Sequence, residues 1–309
     1  MKILVTGAAG NIGTNLCNEL RSRGHKVIGI DLFNTEREDY VRCDVNHYRQ
    51  LKKIFDDFGN FDYVYHLAAE YGRWNGEAYY ENLWMTNMIG TKNIIDFQTK
   101  HKFKMIFFSS CEVYGDYEGF MTEDVMTNNK ISDTFQMNDY AITKWAGELM
   151  CLNATTMFGN EIVRVRPLNC YGPYEHYTPY RGFIPKFIYL SLTKKPYTVF
   201  KGHKRIIDYV EDSCFTFANI TENFIAGEVY NVGGKVEWEM DIKEYSDIVL
   251  DITKGDKNLV TYKESEKFTT KIKTVDFSKA IKDLNHNPVI DPYEGIKRTA
   301  DWMKKSYGL

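Results

Sequence analysis

The first half of the chain alternates short apolar runs, rich in β-branched residues, with longer stretches in which apolar positions recur at helical spacing. Such runs predict strands buried on both faces, and the stretches between them predict the crossover helices of βαβ units. The predicted strands cover residues 2–6, 26–30, 62–67, 104–109 and 161–166, and the predicted helices cover residues 11–23, 47–57, 80–100 and 137–157. This order of elements predicts an α/β protein with a doubly wound parallel sheet of the Rossmann type.

The regular alternation ends after Pro167. Pro173, Pro179, Pro185 and Pro196 interrupt the segment that follows, and no repeat or low-complexity linker separates it from the first half. We therefore expect residues 1–170 to form the domain that contains the sheet. Residues 171–309 are expected to form mainly a smaller C-terminal lobe packed against that domain, with some segments returning to it.

Composition and charge exclude several classes of protein. The formal net charge is −3 and Lys and Arg are spread along the chain, so the sequence offers no basic surface for nucleic acid. The six cysteines fall singly, without the paired spacing of a zinc site, which predicts no metal and a reducing compartment. The apolar run after Met1 is only about five residues long, too short for a signal peptide or a membrane span. These features predict a cytoplasmic protein without a membrane partner.

Three glycines, Gly7, Gly10 and Gly13, follow the first predicted strand and open the first predicted helix. Glycines in this position let backbone N–H groups approach a pyrophosphate at the helix N-terminus. The second predicted strand is followed by Asp31, whose carboxylate is placed to accept hydrogen bonds from ribose hydroxyls and to repel a 2′-phosphate. The spacing therefore predicts NAD as cofactor in preference to NADP. Asp44 ends another apolar run and is a candidate contact for adenine, although a turn or cap role explains it equally well.

A second candidate site combines Tyr140 and Lys144, which are four residues apart and share one face of a predicted helix. A tyrosine titrates near pH 10, so it needs a neighbouring cation to act as a base near neutral pH, and Lys144 supplies one. The strand at residues 104–109 leads into Ser110, Cys111 and Glu112 at the carboxyl edge of the sheet, where α/β proteins bind ligands. The sequence thus predicts one active site built from both segments.

Further motifs occur in order along the whole chain. They are the Thr-Gly-x-x-Gly-x-x-Gly start at residues 6–13, His66-Leu67-Ala68-Ala69, Asn87 followed by Gly90-Thr91, the strand end at residues 109–115, Tyr140-x-x-x-Lys144, residues 166–173, Arg205 with residues 209–212, and residues 276–280. Together they resemble the extended short-chain dehydrogenase/reductase family, in particular its nucleotide-sugar epimerase/dehydratase branch.

The resemblance implies a role for each motif residue. Ser110 would bind the sugar hydroxyl being oxidised, Tyr140 would take its proton, and Lys144 would hold the nicotinamide ribose. The implied NAD contacts are Gly7, Gly10, Asn11, Ile12, Asp31, Asp44, Val45, Leu67, Ala68, Ala69, Tyr140, Lys144 and Pro167. The implied substrate contacts are Asn87, Asn169 and Arg205, the last two toward the diphosphate of a nucleotide-diphosphate sugar. The smaller lobe would bind that substrate, and helices 80–100 and 137–157 would pair with their copies in a homodimer.

Cys111 and Glu112 decide which reaction follows the oxidation at C4 of the sugar. A carboxylate at Glu112 with a weak acid at Cys111 favours a 4,6- or 5,6-dehydratase, in which Glu112 removes the C5 proton. Inversion at C4, as in a 4-epimerase, is the next alternative and needs no proton transfer by Glu112. Decarboxylation ranks last because Lys273 stands where decarboxylases of this family carry an arginine, and Lys267 or Lys271 is the nearest substitute for a second phosphate-binding arginine. Outside these reactions remain a dehydrogenase that releases NADH and a non-catalytic NAD-binding regulatory subunit.

Overall fold

The computed structural model describes residues 1–34, 39–128, 133–264 and 266–309. The strands are β1 (Lys2–Thr6), β2 (Lys26–Asp31), β3 (Tyr40–Arg42), β4 (Tyr63–His66), β5 (Lys104–Phe108), β6 (Ile162–Pro167), β7 (Cys170–Tyr171), β8 (Tyr197–Phe200), β9 (Lys204–Arg205), β10 (Asp208–Tyr209), β11 (Val229–Val232), β12 (Met240–Asp241) and β13 (Val260–Lys263). The α-helices are α1 (Asn11–Ser22), α2 (Tyr48–Phe58), α3 (Arg73–Ala78), α4 (Tyr80–Trp84), α5 (Thr91–His101), α6 (Val125–Asn128), α7 (Asp139–Phe158), α8 (Phe183–Leu192), α9 (Val210–Asn219), α10 (Ile242–Thr253), α11 (Ser278–Leu284) and α12 (Pro292–Tyr307).

Seven parallel strands form the main sheet in the order β11-β6-β5-β4-β1-β2-β3. The chain moves from β1 outward through β2 to β3, then returns to pair β4 on the other side of β1. The strand order therefore reverses between β1 and β4, and in doubly wound sheets this switch point is where ligands bind at the carboxyl ends of the strands. The α/β, Rossmann-type fold predicted from the sequence is confirmed.

The predicted elements of the first half match the observed ones to within two residues, except for the helix expected over residues 80–100. There, a π-helical turn at Met85–Gly90 separates α4 from α5. The backbone stays right-handed helical at both junctions, so the segment is one continuous helix with a π turn inside it. A Cβ at Gly90 would lie 2.7 Å from Val45 Cγ2, so glycine allows this turn to pack closely against the segment after β3.

Helices cover both faces of the sheet and enclose two apolar cores. On one face, α1, α9 and α11 pack over β1 and β6, with Leu16, Phe217 and Leu284 among the fully buried side chains. On the other face, α2, α5 and α7 bury Phe55 and Ile94 against the sheet. Burial on both faces explains why the strands read as continuous apolar runs rather than as alternating ones.

The second half of the chain contributes to both parts of the molecule. A separate core joins α8, α10 and α12 with β8 and β13 into a smaller lobe. β11 pairs in parallel with β6 at the edge of the main sheet, and α9 packs against α1. Within the described ranges, no helix is both long and apolar enough to cross a membrane.

Candidate active site

The loop between β1 and α1 leaves backbone N–H groups accessible at a helix N-terminus. Gly7 has φ +69°, and a Cβ there would lie 2.8 Å from the backbone nitrogen of Ala68. A Cβ at Gly13 would lie 2.0 Å from the carbonyl oxygen of Gly7. Gly10 caps α1 without any side-chain hydrogen bond, and the first turn of α1 contains no acidic residue. The loop therefore fits an anion such as a pyrophosphate.

Asp31 lies next to this loop at the end of β2. Its carboxylate accepts hydrogen bonds from the backbone N–H groups of Ala9 (2.9 Å) and Leu32 (2.7 Å). Burial raises the pKa of Asp31, and these two hydrogen bonds oppose the shift. Each carboxylate oxygen has two acceptor positions, so Asp31 retains capacity for the hydroxyls of a ribose.

A cleft of about 400 Å³ continues from Asp31 and is lined by Leu32, Arg42, Asp44, His47 and Gln50. Asp44 Oδ1 accepts the N–H of Asn46 at 2.9 Å, the arrangement of a turn residue that precedes a helix. Arg42 is the register partner of Asp31 across β2 and β3. Its planar cation is suited to stacking on a purine, but no motif marks it because it ends a three-residue strand.

The carboxyl ends of β1 and β4 are tied together at the switch point. Thr6 Oγ1 accepts the N–H of Ala68 at 3.0 Å and is 2.9 Å from His66 Nδ1, while His66 Nε2 is 3.0 Å from Thr91 Oγ1. Burial lowers the pKa of His66 to about 3, so the ring is neutral and structural. Leu67, Ala68 and Ala69 are half-buried beside the glycine loop.

The other predicted cofactor contacts lie around the same region, and they are Asn11, Ile12, Val45 and Pro167. Asn11 is buried and its amide donates to the carbonyl of Pro173 at 2.8 Å, which ties the loop to the segment after β7. Ile12 packs on the core, Val45 is buried against Gly90, and Pro167 ends β6 half-buried. The backbone rather than the side chain of Asn11 is therefore the part accessible to a cofactor.

Ser110, Tyr140 and Lys144 meet at the carboxyl edge of β5. Ser110 Oγ accepts the N–H of Glu112 at 3.1 Å and caps the 3-10 helix Cys111–Tyr114. Asn138 caps α7 by accepting the N–H of Ala141, which fixes the start of the helix that carries Tyr140. Lys144 Nζ lies 5.8 Å from the ring centroid of Tyr140.

The electrostatics of Ser110, Tyr140 and Lys144 indicate that Tyr140 acts as a base only when a neighbouring positive charge stabilises its phenolate. Burial raises the pKa of Tyr140, while its hydrogen bond to Ser110 opposes the shift. Lys144 is buried, donates to the carbonyl of Phe108 at 2.8 Å, and has its pKa lowered by burial to about 7. A phenolate at Tyr140 therefore requires the ammonium form of Lys144 or a further positive charge in the cleft.

Glu112 and Lys273 form an ion pair of 2.6 Å between Oε1 and Nζ. The Lys273 side chain is 2% exposed, whereas that of Glu112 is 25% exposed and so remains open to the cleft. Burial favours the protonated form of Glu112, yet the charges of Lys273 and Arg73 bring its pKa down to about 2. Burial lowers the pKa of Lys273, and Glu112 opposes that shift. Glu112 is therefore held in its ionised form, and its partner Lys273 carries a proton that it can donate.

Cys111 directly precedes Glu112 in the sequence, but its side chain points into the core rather than into the cleft. Its side chain is 2% exposed, packs in the core with Val113 and Met121, and donates from Sγ to the carbonyl oxygen of Arg166 at 3.1 Å. Burial raises the pKa of the thiol far above its usual range. The geometry therefore gives no support to the hypothesis that Cys111 acts as an acid toward a substrate.

Asn87, a predicted substrate contact, lies in the π turn and is 3% exposed. Its Oδ1 accepts the N–H of Glu70 at 2.9 Å, and its Nδ2 donates to the carbonyl of Glu70 and to Thr143 Oγ1, both at 3.0 Å. The amide is therefore committed to joining the loop after β4 to α7. This geometry favours a positioning role over direct contact with a substrate.

Asn169 and Arg205, the predicted diphosphate contacts, differ in how accessible they are. Asn169 is exposed, with φ +46°, and its amide donates to the carbonyl of Ile206 at 2.8 Å. Arg205 is 5% exposed, and its guanidinium donates to the carbonyls of Lys271 (2.8 Å) and Thr270 (2.6 Å) and to Thr269 Oγ1 (2.8 Å). Arg205 can reach a phosphate only by exchanging these partners.

The segment of residues 266–271, which includes hydrogen-bond partners of Arg205, also contacts α3. Arg73 Nη2 lies 3.3 Å from Glu266 Oε2, and Trp74 packs edge-on against Phe268 with centroids 5.0 Å apart. Phe268 adopts φ +61°, which is strained for a residue with a side chain. Lys267 and Lys271 therefore belong to a segment that crosses between α3 and β9 beside Glu112.

A buried ionic network supports the strand end that carries Ser110. Arg166 binds Glu148 through two hydrogen bonds of 2.8 Å, and Glu148 accepts the hydroxyl of Ser109 at 2.5 Å. Arg166 also donates to Tyr114 Oη at 2.9 Å. No motif predicts this network because its members lie in β6, in α7, in the 3-10 helix and directly after β5.

Comparisons with known proteins agree with this geometry. The family model described as the NAD dependent epimerase/dehydratase family matches residues 3–233. A UDP-N-acetyl-α-D-glucosaminuronate decarboxylase from Bacillus cytotoxicus is 28% identical over 98% of both chains, and a UDP-glucuronate 4-epimerase from Thermodesulfobacterium geofontis is 29% identical over 99% of this chain and 97% of its own.

A solved structure extends the likeness to three dimensions. It is the UDP-glucuronic acid 4-epimerase from Bacillus cereus in complex with UDP-glucuronic acid and NAD. Its sequence is 27% identical, the TM-score is 0.86, and the match covers 99% of this chain and 100% of that chain. The matched family, the sheet with its glycine loop and the curated relatives lead to one conclusion. The chain belongs to the NAD-dependent epimerase/dehydratase family and is an NAD-dependent enzyme of nucleotide-sugar metabolism.

Proposed function

We propose that the enzyme oxidises the C4 hydroxyl of a nucleoside-diphosphate sugar that carries a carboxylate at C5, and then releases that carboxylate as carbon dioxide. The observation that carries this proposal is the ion pair between Glu112 and Lys273, which is open to the cleft on the side of Glu112. The ranking suggested by the sequence alone, with dehydration first, is revised on this basis.

Ser110, Tyr140 and Lys144 are assigned to the oxidation. Ser110 hydrogen-bonds the C4 hydroxyl, and Tyr140 accepts its proton while the Lys144 ammonium stabilises the phenolate. A bound NAD would supply the acceptor for the hydride from C4 and the donor for its return. Gly7, Gly10 and the N-terminus of α1 would hold its pyrophosphate, and Asp31 would hold its adenosine ribose, because these groups present unused donors and acceptors there.

Dehydration is the less suitable next step for this arrangement. It needs a base to remove the C5 proton and an acid to protonate the leaving 6-hydroxyl. Glu112, with a pKa near 2, is a weak base, and the Cys111 thiol donates to a backbone carbonyl inside the core. Neither member of the predicted pair is therefore suited to its role in elimination.

Decarboxylation needs no base. Once C4 is a ketone, the C5 carboxylate is β to it, so the electrons of the C5–C6 bond move to the C4 oxygen as carbon dioxide leaves. Lys273 then donates a proton to C5, for which its side chain, 2% exposed in the structure, has to turn from Glu112 into the cleft. The hydride returns to C4 while Tyr140 returns its proton to the C4 oxygen. Each turnover consumes one proton, releases one carbon dioxide and leaves the cofactor oxidised.

A second candidate is 4-epimerisation of the same class of uronate. Two of the relatives described above are named UDP-glucuronate or UDP-glucuronic acid 4-epimerases, and the first relative is named for decarboxylation of an N-acetylated uronate. All three names specify a UDP-linked uronate. Both candidates therefore predict the same substrate class and the same first step.

The product mass separates these reactions. The purified enzyme is incubated with UDP-glucuronic acid, UDP-N-acetylglucosaminuronic acid, UDP-glucose and UDP-N-acetylglucosamine, and products are read by mass spectrometry and, for inversion at C4, by proton NMR. Loss of carbon dioxide from a uronate supports the proposal. Loss of water from a neutral sugar, or inversion without a change in mass, contradicts the proposed second step, and turnover of neutral sugars alone contradicts the proposed substrate class.

A further inference from the structure

The segment of residues 173–181, which we call the strap, joins β7 to α8 and begins beside the glycine loop. The carbonyl oxygen of Pro173 accepts hydrogen bonds from the side-chain amides of Asn11 (2.8 Å) and Asn15 (3.1 Å). Both asparagines lie in the first two turns of α1. The start of the strap is therefore fixed at the helix N-terminus that presents its free N–H groups to the cleft.

The far end of the strap lies on the other side of the switch point. The Arg181 guanidinium lies over the ring of Tyr71, 4.2 Å from the centroid, and a Cβ at Gly72 would lie 3.2 Å from the strap backbone. Tyr71 and Gly72 lead from β4 into α3, where a Cβ at Gly76 would lie 3.7 Å from the backbone nitrogen of Tyr140. The strap thus spans the interval between the glycine loop and the surroundings of Tyr140. A cofactor that extends from one to the other passes through the same interval.

The middle of the strap is held by the last turns of α12. The backbone N–H of Tyr177 donates to Tyr307 Oη at 2.9 Å, and His176 Nδ1 lies 3.2 Å from the same oxygen. Burial lowers the pKa of His176, so its ring is neutral near pH 7 and Nδ1 can accept the Tyr307 hydroxyl. The rings of Tyr174 and His176 also pack against Trp302, with centroids 5.7 and 5.2 Å away.

The backbone of Tyr174 shows that these contacts oppose a strain. Its φ is +69°, a left-handed conformation that is costly for a residue with a Cβ and persists only where its surroundings hold it. The side chain is 39% exposed, and its ring packs on Trp302 of α12. Weakening the contacts between the strap and α12 would therefore favour release of the strap.

We propose that Tyr307 is a positioning residue that keeps the strap closed over bound NAD and thereby slows the release of the cofactor. Segments that close over a cleft can set the rate at which bound molecules leave. The inference rests on the placement of NAD in the proposed function, and it holds for both candidate reactions. Each of them ends with the cofactor oxidised again, so NAD has no need to leave between turnovers.

The test measures how fast the holoenzyme releases NAD. Enzyme loaded with carbon-14-labelled NAD is mixed with an excess of unlabelled NAD, and the label that stays with the protein is counted after rapid gel filtration at successive times. Tyr307→Phe keeps the ring and removes the oxygen that contacts Tyr177 and His176. Release is expected to be about fivefold faster, the factor that corresponds to a hydrogen bond worth about 1 kcal/mol.

Tyr293→Phe is the matched control. Tyr293 lies at the opposite end of α12, and its hydroxyl also has a hydrogen bond, to Asp251 Oδ2 at 3.1 Å. This variant is expected to release NAD at the rate of the parent, and thermal unfolding verifies that both variants are folded. Equal release by the parent and Tyr307→Phe, or equally accelerated release by both variants, contradicts this inference alone. A parent that binds no NAD contradicts the inference together with the proposed function.

Discussion

Glu112 and Lys273 are 161 positions apart in the chain, yet their charged atoms lie 2.6 Å from each other beside the catalytic tyrosine. Sequence motifs could identify each residue but not the pairing, because a lysine 161 residues away gives no local signal. The pairing changes the chemistry available to both. It keeps Glu112 ionised and places the Lys273 ammonium, a proton donor, beside that carboxylate.

The first prediction concerns this donor. Lys273→Met keeps most of the side-chain volume and removes the ammonium, so protonation at C5 should become rate-limiting. Turnover is expected to fall by about two to four orders of magnitude, the usual range for loss of a general acid. Because C4 oxidation does not use Lys273, bound NADH should accumulate and be seen by its absorbance.

Lys263→Met is the control for this variant, since Lys263 is exposed at the end of β13 and has no role in the site. It should turn over like the parent enzyme. If Lys273→Met shows normal turnover, or loses turnover without accumulating NADH, then the lysine has no part in a step after oxidation.

The second prediction concerns Tyr140. Tyr140→Phe retains the ring that Lys144 faces and removes the hydroxyl that binds Ser110. Folding and NAD binding should be nearly unchanged, while turnover falls by about two to four orders of magnitude. NADH should not accumulate in this variant, in contrast to Lys273→Met, because the first proton transfer is lost. Pre-steady-state absorbance distinguishes the two blocks.

At the scale of elements, the structure confirms the predicted strands of the first half and the predicted helices other than the one over residues 80–100, because each has an apolar pattern that is continuous in the sequence. The π turn at Met85–Gly90 could not be predicted, since the close approach of Gly90 to Val45 is a tertiary contact. The role of Asn87 follows from that turn. Strands of two residues, such as β9 and β10, likewise carry no pattern of their own.

The third prediction concerns β10. Asp208 is fully buried, and burial raises its pKa to about 8, with Asp212 adding to the shift and the Ser213 hydroxyl opposing it. A carboxyl whose folded pKa lies above its unfolded value stabilises the fold at low pH and loses that contribution as pH rises toward the folded pKa. Asp208 should therefore reduce the free energy of unfolding between about pH 4 and pH 8, by up to about 1.4 kcal/mol per pH unit.

Urea unfolding of the parent and of Asp208→Asn across this range measures the effect. The stability of the parent relative to the variant should decline as pH rises. Asp57→Asn, at an exposed position of α2, should show no such trend relative to the parent. A difference between parent and Asp208→Asn that stays constant with pH would show that Asp208 is ionised in the folded state throughout.

At the scale of the whole molecule, an apolar surface among the described residues is exposed. It lies on α7 and on the neighbouring π turn, where Ile142, Leu149 and Leu152 share one face of α7 and Met85 and Ile89 are exposed nearby. Their side chains are between 36% and 47% exposed. Apolar patches of this kind are typical of oligomer interfaces, and the family resemblance implies a four-helix homodimer here.

The fourth prediction is that these helices form a homodimer interface. Light scattering of the parent at micromolar concentration should give the mass of two chains. Leu149→Glu combined with Leu152→Glu should give one chain, because two charges would be buried at the interface without partners. Ile281→Glu, at an exposed position on the opposite side of the sheet, should remain dimeric. A monomeric parent would refute the interface.

The central claim is that C4 oxidation is followed by loss of the C5 carboxylate at the Glu112–Lys273 pair. The most direct measurement is turnover, in deuterium oxide, of a UDP-linked uronate labelled with carbon-13 at C6. The account predicts labelled carbon dioxide, a UDP-pentose with one deuterium at C5, and no net change in bound NAD. A product that retains the labelled carbon, with C4 inverted and no deuterium at C5, would contradict it and establish epimerisation instead.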